Sequence, residues 1–234
     1  FFTINTELHQ FIANDYEYRD ILERYISRIC KRFGDTHGNI AQDAFITLWL
    51  IQYGLPLDAL TTMYGDKILD FINLLYYDLT IDVKRHITIT NNTFKQCIEK
   101  LYIQNLSDDE INRYRLAIVD HLKHHRQFPQ DRFLLEEIMY QLSMANNQSE
   151  LTDALSDANR AAIISENGML LIKYWNQTEQ RGKLLNHWQE QSCHYPFRFL
   201  GKMLYETGLS ERAVFFQKKL LDVLDGMETD KKRR

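Results

Sequence analysis

Proline and glycine are scarce in this chain. Three prolines (Pro56, Pro129, Pro196) and nine glycines are spread over 234 residues, well below the usual ~5% and ~7%. A β-rich chain uses both residue types in its many tight turns, so the scarcity argues against a sandwich or barrel. Cysteine is sparse too. Cys30, Cys97 and Cys193 lie far apart, which gives neither a disulfide framework nor a zinc-type pair and fits a reducing, cytoplasmic compartment. No apolar run reaches the roughly 18 residues of a membrane-spanning helix. Phe1-Phe2-Thr3-Ile4 is too short and too polar in its flanks for a signal peptide. A first residue of Phe1 rather than Met is what a processed product or a piece of a longer protein would show. An excess of one charge is missing as well. The 28 basic and 32 acidic residues are interspersed and leave a net charge of −4, so no bulk field draws the chain toward nucleic acid or anionic lipid. Nucleotide-binding glycine loops, Rossmann glycines and a nucleophile–histidine–acid triad of known spacing are also absent.

What is present is apolar periodicity. With 44% hydrophobic and 12% aromatic residues the chain can pack a substantial core, and disorder is not the expectation. Ile21, Leu22, Tyr25, Ile26, Ile29, Cys30 and Phe33 recur at helical spacing, and Gly34 is the expected C-cap. Similar runs cover about 40 to 53 and 57 to 79, with Gly65 a possible break in the second. Ser107-Asp108-Asp109-Glu110 is a capping box opening a helix through Leu122. Phe133, Leu134, Leu135, Ile138, Met139 and Leu142 mark another. The one extended stretch is 81 to 90, where Ile81, Val83, Ile87 and Ile89 fall on alternate positions. The fold class is therefore all-α, a multi-helix bundle of about nine helices with at most one short extended segment. The polar run Asn146-Asn147-Gln148-Ser149 divides an N-terminal bundle (1–145) from a C-terminal helical subdomain (150–228) packed on it, with one continuous domain as the alternative, before a frayed basic tail (229–234).

Gly34-Asp35-Thr36-His37-Gly38 resembles the opening signature, Gly-Asp-x-His-Gly, of calcineurin-like metallophosphoesterases. The resemblance implies that Asp35 and His37 bind a divalent catalytic metal through a carboxylate oxygen and an imidazole nitrogen. It further implies that Asp66 bridges two metals and Asn92 contacts phosphate. The chain departs from the pattern after Asp66, where Lys67-Ile68 replaces an Asp-Arg pair, and at Thr93, which stands where the family has histidine. The family also sets its first motif at the end of a buried strand, whereas residues 16 to 33 are helical by period. A turn between two helices accounts for every residue of the motif, and the sequence favours that turn.

Asp120-His121 resembles the ligand dyad of helical HD-type phosphohydrolases. His121 and His125 are four residues apart, so on a helix they share a face and could share a metal. Basic groups collected in the last turn of a helix explain the same residues. Trp175, Trp188 and Tyr195 are the expected partner-binding side chains, because Trp and Tyr dominate interface hot spots. Arg181, Lys183 and Arg198 beside such aromatics could also stack single-stranded nucleic acid, a role the near-neutral charge does not favour. Leu200, Gly201, Gly208 and Ala213 resemble the small-residue spacing of one tetratricopeptide helix pair, which implies a tight hairpin turning at Gly208-Leu209. The sequence thus leads to a cytosolic helical interaction or adaptor module with a protein partner, no catalytic activity and no cofactor. The alternative is a metal-dependent phosphohydrolase built on Asp35 and His37 or on Asp120 and His121.

Overall fold

In a computed structural model the described residues are 18–37, 40–126, 128, 130–165, 168–178, 182, 184, 205, 208, 211, 214 and 218. Among them are ten α-helices, one 3-10 turn and three short strands in one antiparallel sheet. No described helix is long and apolar enough to cross a membrane. The chain divides into two compact units, Phe1–His125 and Arg126–Arg234. The polar run 146–149, the sequence's candidate boundary, lies inside the second.

The first unit contains α1 (Tyr18–His37), α2 (Ile40–Leu50), β1 (Leu55–Pro56), α3 (Leu57–Tyr64), α4 (Ile68–Leu74), β2 (Leu79–Ile81), β3 (His86–Ile89), α5 (Asn92–Leu101), a 3-10 turn (Ile103–Asn105) and α6 (Asp108–Lys123). Its centre is α2, which buries Ala41, Ala44, Phe45, Ile46, Thr47, Leu48 and Leu50. A helix without a polar face has to be enclosed on all sides, and α1, α4, α5, α6 and β3 all pack on it. Phe45 is the hub. Its ring meets Phe71 edge-on at 4.8 Å and Phe94 at 5.9 Å, and stacks on Tyr102 at 6.2 Å. Full burial of such a ring contributes roughly 1.5–3 kcal/mol.

The enclosing helices are amphipathic. On α1, Leu22, Ile26 and Ile29 form the buried face, while the exposed side ties to α5 through Lys100 Nζ, 2.7 Å from Glu23 Oε1. Asn91 caps α5 by accepting the Phe94 N–H. The Ser107–Glu110 capping box is formed in both directions. The run 57–79 does break at Gly65, whose φ of +76° ends α3 while its N–H reaches the Thr61 carbonyl at 2.8 Å. Gly34 behaves differently from the expected C-cap: α1 continues through it to His37, since a glycine in helical backbone does not by itself stop a helix.

The extended segment near 81–90 is a hairpin rather than a single strand. β2 and β3 pair in the register Leu79↔Ile89, Thr80↔Thr88 and Ile81↔Ile87. Asp82 Oδ1 accepts the N–H groups of Lys84 and His86, both at 2.8 Å, and Arg85 takes φ +66°. This Asx turn keeps apolar alternation running through the bend, which is why the sequence reads as one strand. The Leu55-Pro56 corner pairs with the other side of β3, Leu55 opposite Ile87. Its proline is tolerated because β1 is an edge.

The second unit contains α7 (Arg132–Met144), α8 (Gln148–Ser156), α9 (Ala158–Ser165) and α10 (Gly168–Gln177). Asp131 Oδ1 caps α7 through the Phe133 N–H at 2.8 Å. Residues 146–147 turn the chain, with Asn146 at φ +52° and Asn147 capping α8. The periodic run 151–164 is two helices because Asp157 Oδ1 accepts the Asn159 and Arg160 N–H groups and starts α9 anew. Gly208 takes φ +80° in a turn, its N–H 3.1 Å from the Tyr205 carbonyl.

Gly54 and Gly34 make opposite predictions. Gly54 has φ +107°, and a Cβ there would stand 3.0 Å from His86 Cβ and 3.3 Å from Thr88 Cγ2. Gly54→Ala should therefore cost about 2–4 kcal/mol in chemical denaturation, from backbone strain plus overpacking. A Cβ at Gly34 meets nothing within 4 Å, so Gly34→Ala should stabilise the protein by about 0.5–1 kcal/mol. A destabilised Gly34→Ala would show that the glycine serves something other than the helix.

Candidate interaction surface

The structure separates most of the side chains singled out by chemistry. Asp35 and His37 belong by backbone to the last turn of α1, so no strand end supports them; their side chains lie outside the described residues. Asp66 is exposed in the turn after Gly65. Asn92 opens α5, and its neighbour Asn91 is engaged as the cap, with Nδ2 donating to Asp78 Oδ1 at 2.9 Å. His121 lies in the last turn of α6, which ends at Lys123 with His124 as its C-cap, so His125 stands beyond the helix. His124 Nδ1 lies 2.8 Å from the Asp120 carbonyl, and His125 Nε2 reaches Asp58 Oδ1 on α3 at 3.0 Å. Among the described residues no group of three or more His, Cys, Asp or Glu is placed to hold a metal ion.

Trp175 is not a surface residue. It is 1% exposed, and with Leu171 and Tyr174 it forms the i, i+3, i+4 stripe by which α10 enters its unit's core. Trp188 and Tyr195 lie outside the described residues.

Exposed apolar side chains gather elsewhere, between α4 and the hairpin. Leu75 is fully buried, and its carbonyl accepts the Asp78 and Leu79 N–H groups at 2.9 and 3.1 Å. That tight turn leaves Tyr76 and Tyr77 with nowhere to pack. They are 65% and 94% exposed, their rings edge-to-face at 5.6 Å. Beyond them Leu79 is buried while Ile81 and Val83, the latter in the hairpin turn, are exposed. β2 lies at the sheet edge in the order β1-β3-β2. An edge strand offers unpaired backbone donors and acceptors, and tyrosine offers an apolar ring with a polar tip. Neither sequence motif nor period marks this surface. Tyr76 and Tyr77 follow Leu75 beyond the end of α4, where the helical period no longer assigns a face.

A second arrangement is half-buried, where α3 and α6 meet α2. Tyr114 Oη on α6 donates to Asp43 Oδ1 on α2 at 2.5 Å, and Tyr64 Oη on α3 is 2.6 Å from Thr47 Oγ1 and donates to the Asp43 carbonyl at 3.2 Å. Burial pushes the Tyr64 phenol up to about 12; the Thr47 bond opposes this and the Asp43 charge adds to it. Tyr114 is raised likewise, by burial first and then by its bond to Asp43. These groups satisfy one another and hold α3 and α6 to α2. Comparison with protein-family models, with curated proteins and with solved structures returns no match for this chain.

The tyrosine shift has a sign that can be measured. Above its ordinary value of 10.0 an unfolded Tyr64 loses its proton, while the folded one keeps it to about pH 12. Its contribution is fully present below pH 10 and declines as pH rises toward 12, because there the native state binds more protons than the unfolded state. Tyr64→Phe should flatten the fall in stability across this alkaline window in denaturant titrations. An unchanged slope would mean that the phenol is not held as described.

Proposed function

We propose that this chain is a helical protein–protein interaction module of the adaptor kind, acting in the cytosol without catalytic chemistry of its own. It engages its partner through the surface formed by Tyr76, Tyr77, Ile81 and Val83. One observation carries the proposal: of eleven large hydrophobic side chains exposed among the described residues, five fall between 69 and 83. Scattered exposed hydrophobics need no explanation, whereas their concentration in one segment marks interaction sites. The two phenols supply rigid contact area at small entropic cost, and the β2 edge can fix the orientation of an incoming extended segment through backbone hydrogen bonds. Asp78 and Asp82 lie among these side chains in sequence and Lys84 and Arg85 directly follow them, both signs of charge together, in keeping with a polar rim.

The test is capture of partners from a native lysate of the source cells by the wild-type chain and by a Tyr76→Ser, Tyr77→Ser double variant. Exposed substitutions of this kind change stability by less than about 0.5 kcal/mol, so the melting curves should coincide. Loss of one hot spot costs about 2 kcal/mol or more, or some 30-fold in affinity. Specific partners should therefore be retained by the wild type and lost by the variant. Capture that ignores both substitutions overturns the proposal. So does a tightly retained divalent metal with phosphoester turnover that disappears in His37→Ala or His121→Ala.

A further inference from the structure

Two bonds near the ends of β2 set the hydrogen-bonding phase of this edge strand. The Thr90 N–H donates to the Asp78 carbonyl at 3.3 Å, and the Asp82 N–H donates to the His86 carbonyl at 3.0 Å. In an antiparallel ladder, positions that bond to a neighbouring strand alternate with positions whose backbone groups point away from it. Asp78, Thr80 and Asp82 therefore bond toward β3, and the backbone groups of Leu79 and Ile81 are directed to the open edge. The Leu79 N–H is already engaged by the Leu75 carbonyl at 3.1 Å. What the edge offers is the Leu79 carbonyl and both groups of Ile81, a donor and an acceptor on one residue.

A residue with both groups outward can exchange two hydrogen bonds with its own copy across a two-fold axis. The side chains decide where that axis can lie. With the axis at Ile81, Leu79 stands opposite Val83 of the second copy, Thr80 opposite its Asp82, and Asp78 opposite its Lys84. Residues 79, 81 and 83 share one face of an extended strand, so the exposed Ile81 and Val83 gain apolar neighbours there. On the other face a carboxylate comes opposite an ammonium group, which favours pairing, whereas like charges directly opposite oppose it. The attraction needs only that Lys84 carry its charge, whatever else it touches.

Neighbouring registers fail on the same counts. An axis at Leu79 or Thr80 calls on the Leu79 N–H, which is committed. The axis at Thr80 also sets Asp78 against Asp82, and an axis at Asp82 sets that carboxylate against its own copy.

We propose that β2 pairs with β2 of a second copy of this chain, antiparallel about Ile81, joining two three-stranded sheets into one of six strands. The proposal rests on the reading of residues 69–83 as an interaction surface and names its occupant. A short strand pair with a few apolar side chains is a small contact, so the dimer forms weakly, with a dissociation constant of about 10–100 µM.

The test is sedimentation equilibrium of the full chain from about 1 µM to about 1 mM. The wild type should pass from monomer to dimer across that range. Ile81→Lys brings two ammonium groups together at the axis and should weaken association at least tenfold. Because residue 81 is exposed, its melting curve should match the wild type. Ile81→Cys reads the register. In a hydrogen-bonded antiparallel pair the Cα atoms lie about 5.5 Å apart, within disulfide reach. Oxidation with diamide should therefore link Ile81→Cys into a covalent dimer at least tenfold faster than Val83→Cys, whose copies are offset along the strands. Should Ile81→Lys melt early, these two linking rates decide alone. The proposal is overturned by a chain that stays monomeric to about 1 mM, by association indifferent to a folded Ile81→Lys, or by equal linking rates. A monomeric chain whose lysate partner is lost on Tyr76→Ser, Tyr77→Ser overturns only the second copy as occupant and leaves the interaction surface standing.

Discussion

Enclosure of α2 is the constraint from which the rest of the first unit follows. Leu50 at its end and Ala41 at its start are both buried, and so are residues on every side between them. A helix of this kind cannot lie at a surface, so at least four partners are needed to cover it, and each of these needs only one apolar face. That division of labour is visible in α1 and α5, whose buried residues occupy single stripes while Lys100 and Glu23 meet on the outside. The small sheet belongs to the same enclosure, since β3 also packs on α2.

Much of this was legible from spacing alone. The apolar stripes of α1, α5, α6 and α7 announce helices because a period of 3.6 can be satisfied in no other way. The capping box at Ser107 marks a start because its side chain replaces a missing backbone partner, whereas the caps at Asn91 and Asp131 emerge only in the structure. What escaped was local competition. Asp82 and Asp157 both bond to backbone N–H groups just downstream, which makes a hairpin of one apparent strand and two helices of one apparent helix. Gly34 errs in the other direction, remaining helical where a stop was expected.

Functional residues were less legible than structural ones, for a physical reason. Trp175 carries the side chain most enriched at interfaces, yet it lies on the stripe that builds its unit's core, and identity alone cannot separate the two uses. Tyr76 and Tyr77 are ordinary in identity; their exposure comes from the turn that Leu75 anchors. Asn146, Asn147 and Gln148 at one turn and Asn176 and Gln177 at the end of α10 are brought to one pocket across whole helices. Donor sets assembled in this way have no sequence spacing to recognise. Histidines four apart do have one, and at His121 and His125 the helix ends between them.

Asp43 and Thr47 have a consequence beyond satisfying two phenols. An all-apolar cylinder has little to say about which way it is rotated in an apolar socket, and cores tend to lose uniqueness before they lose stability. Asp43 and Thr47 sit one turn apart on α2 and meet Tyr114 and Tyr64 from two different helices. Together they act as an index mark, fixing the angular phase and axial position of a helix whose other contacts would tolerate several. Removing the mark while keeping the volume would leave a protein that is still compact and still helical, with its central helix free to take more than one setting.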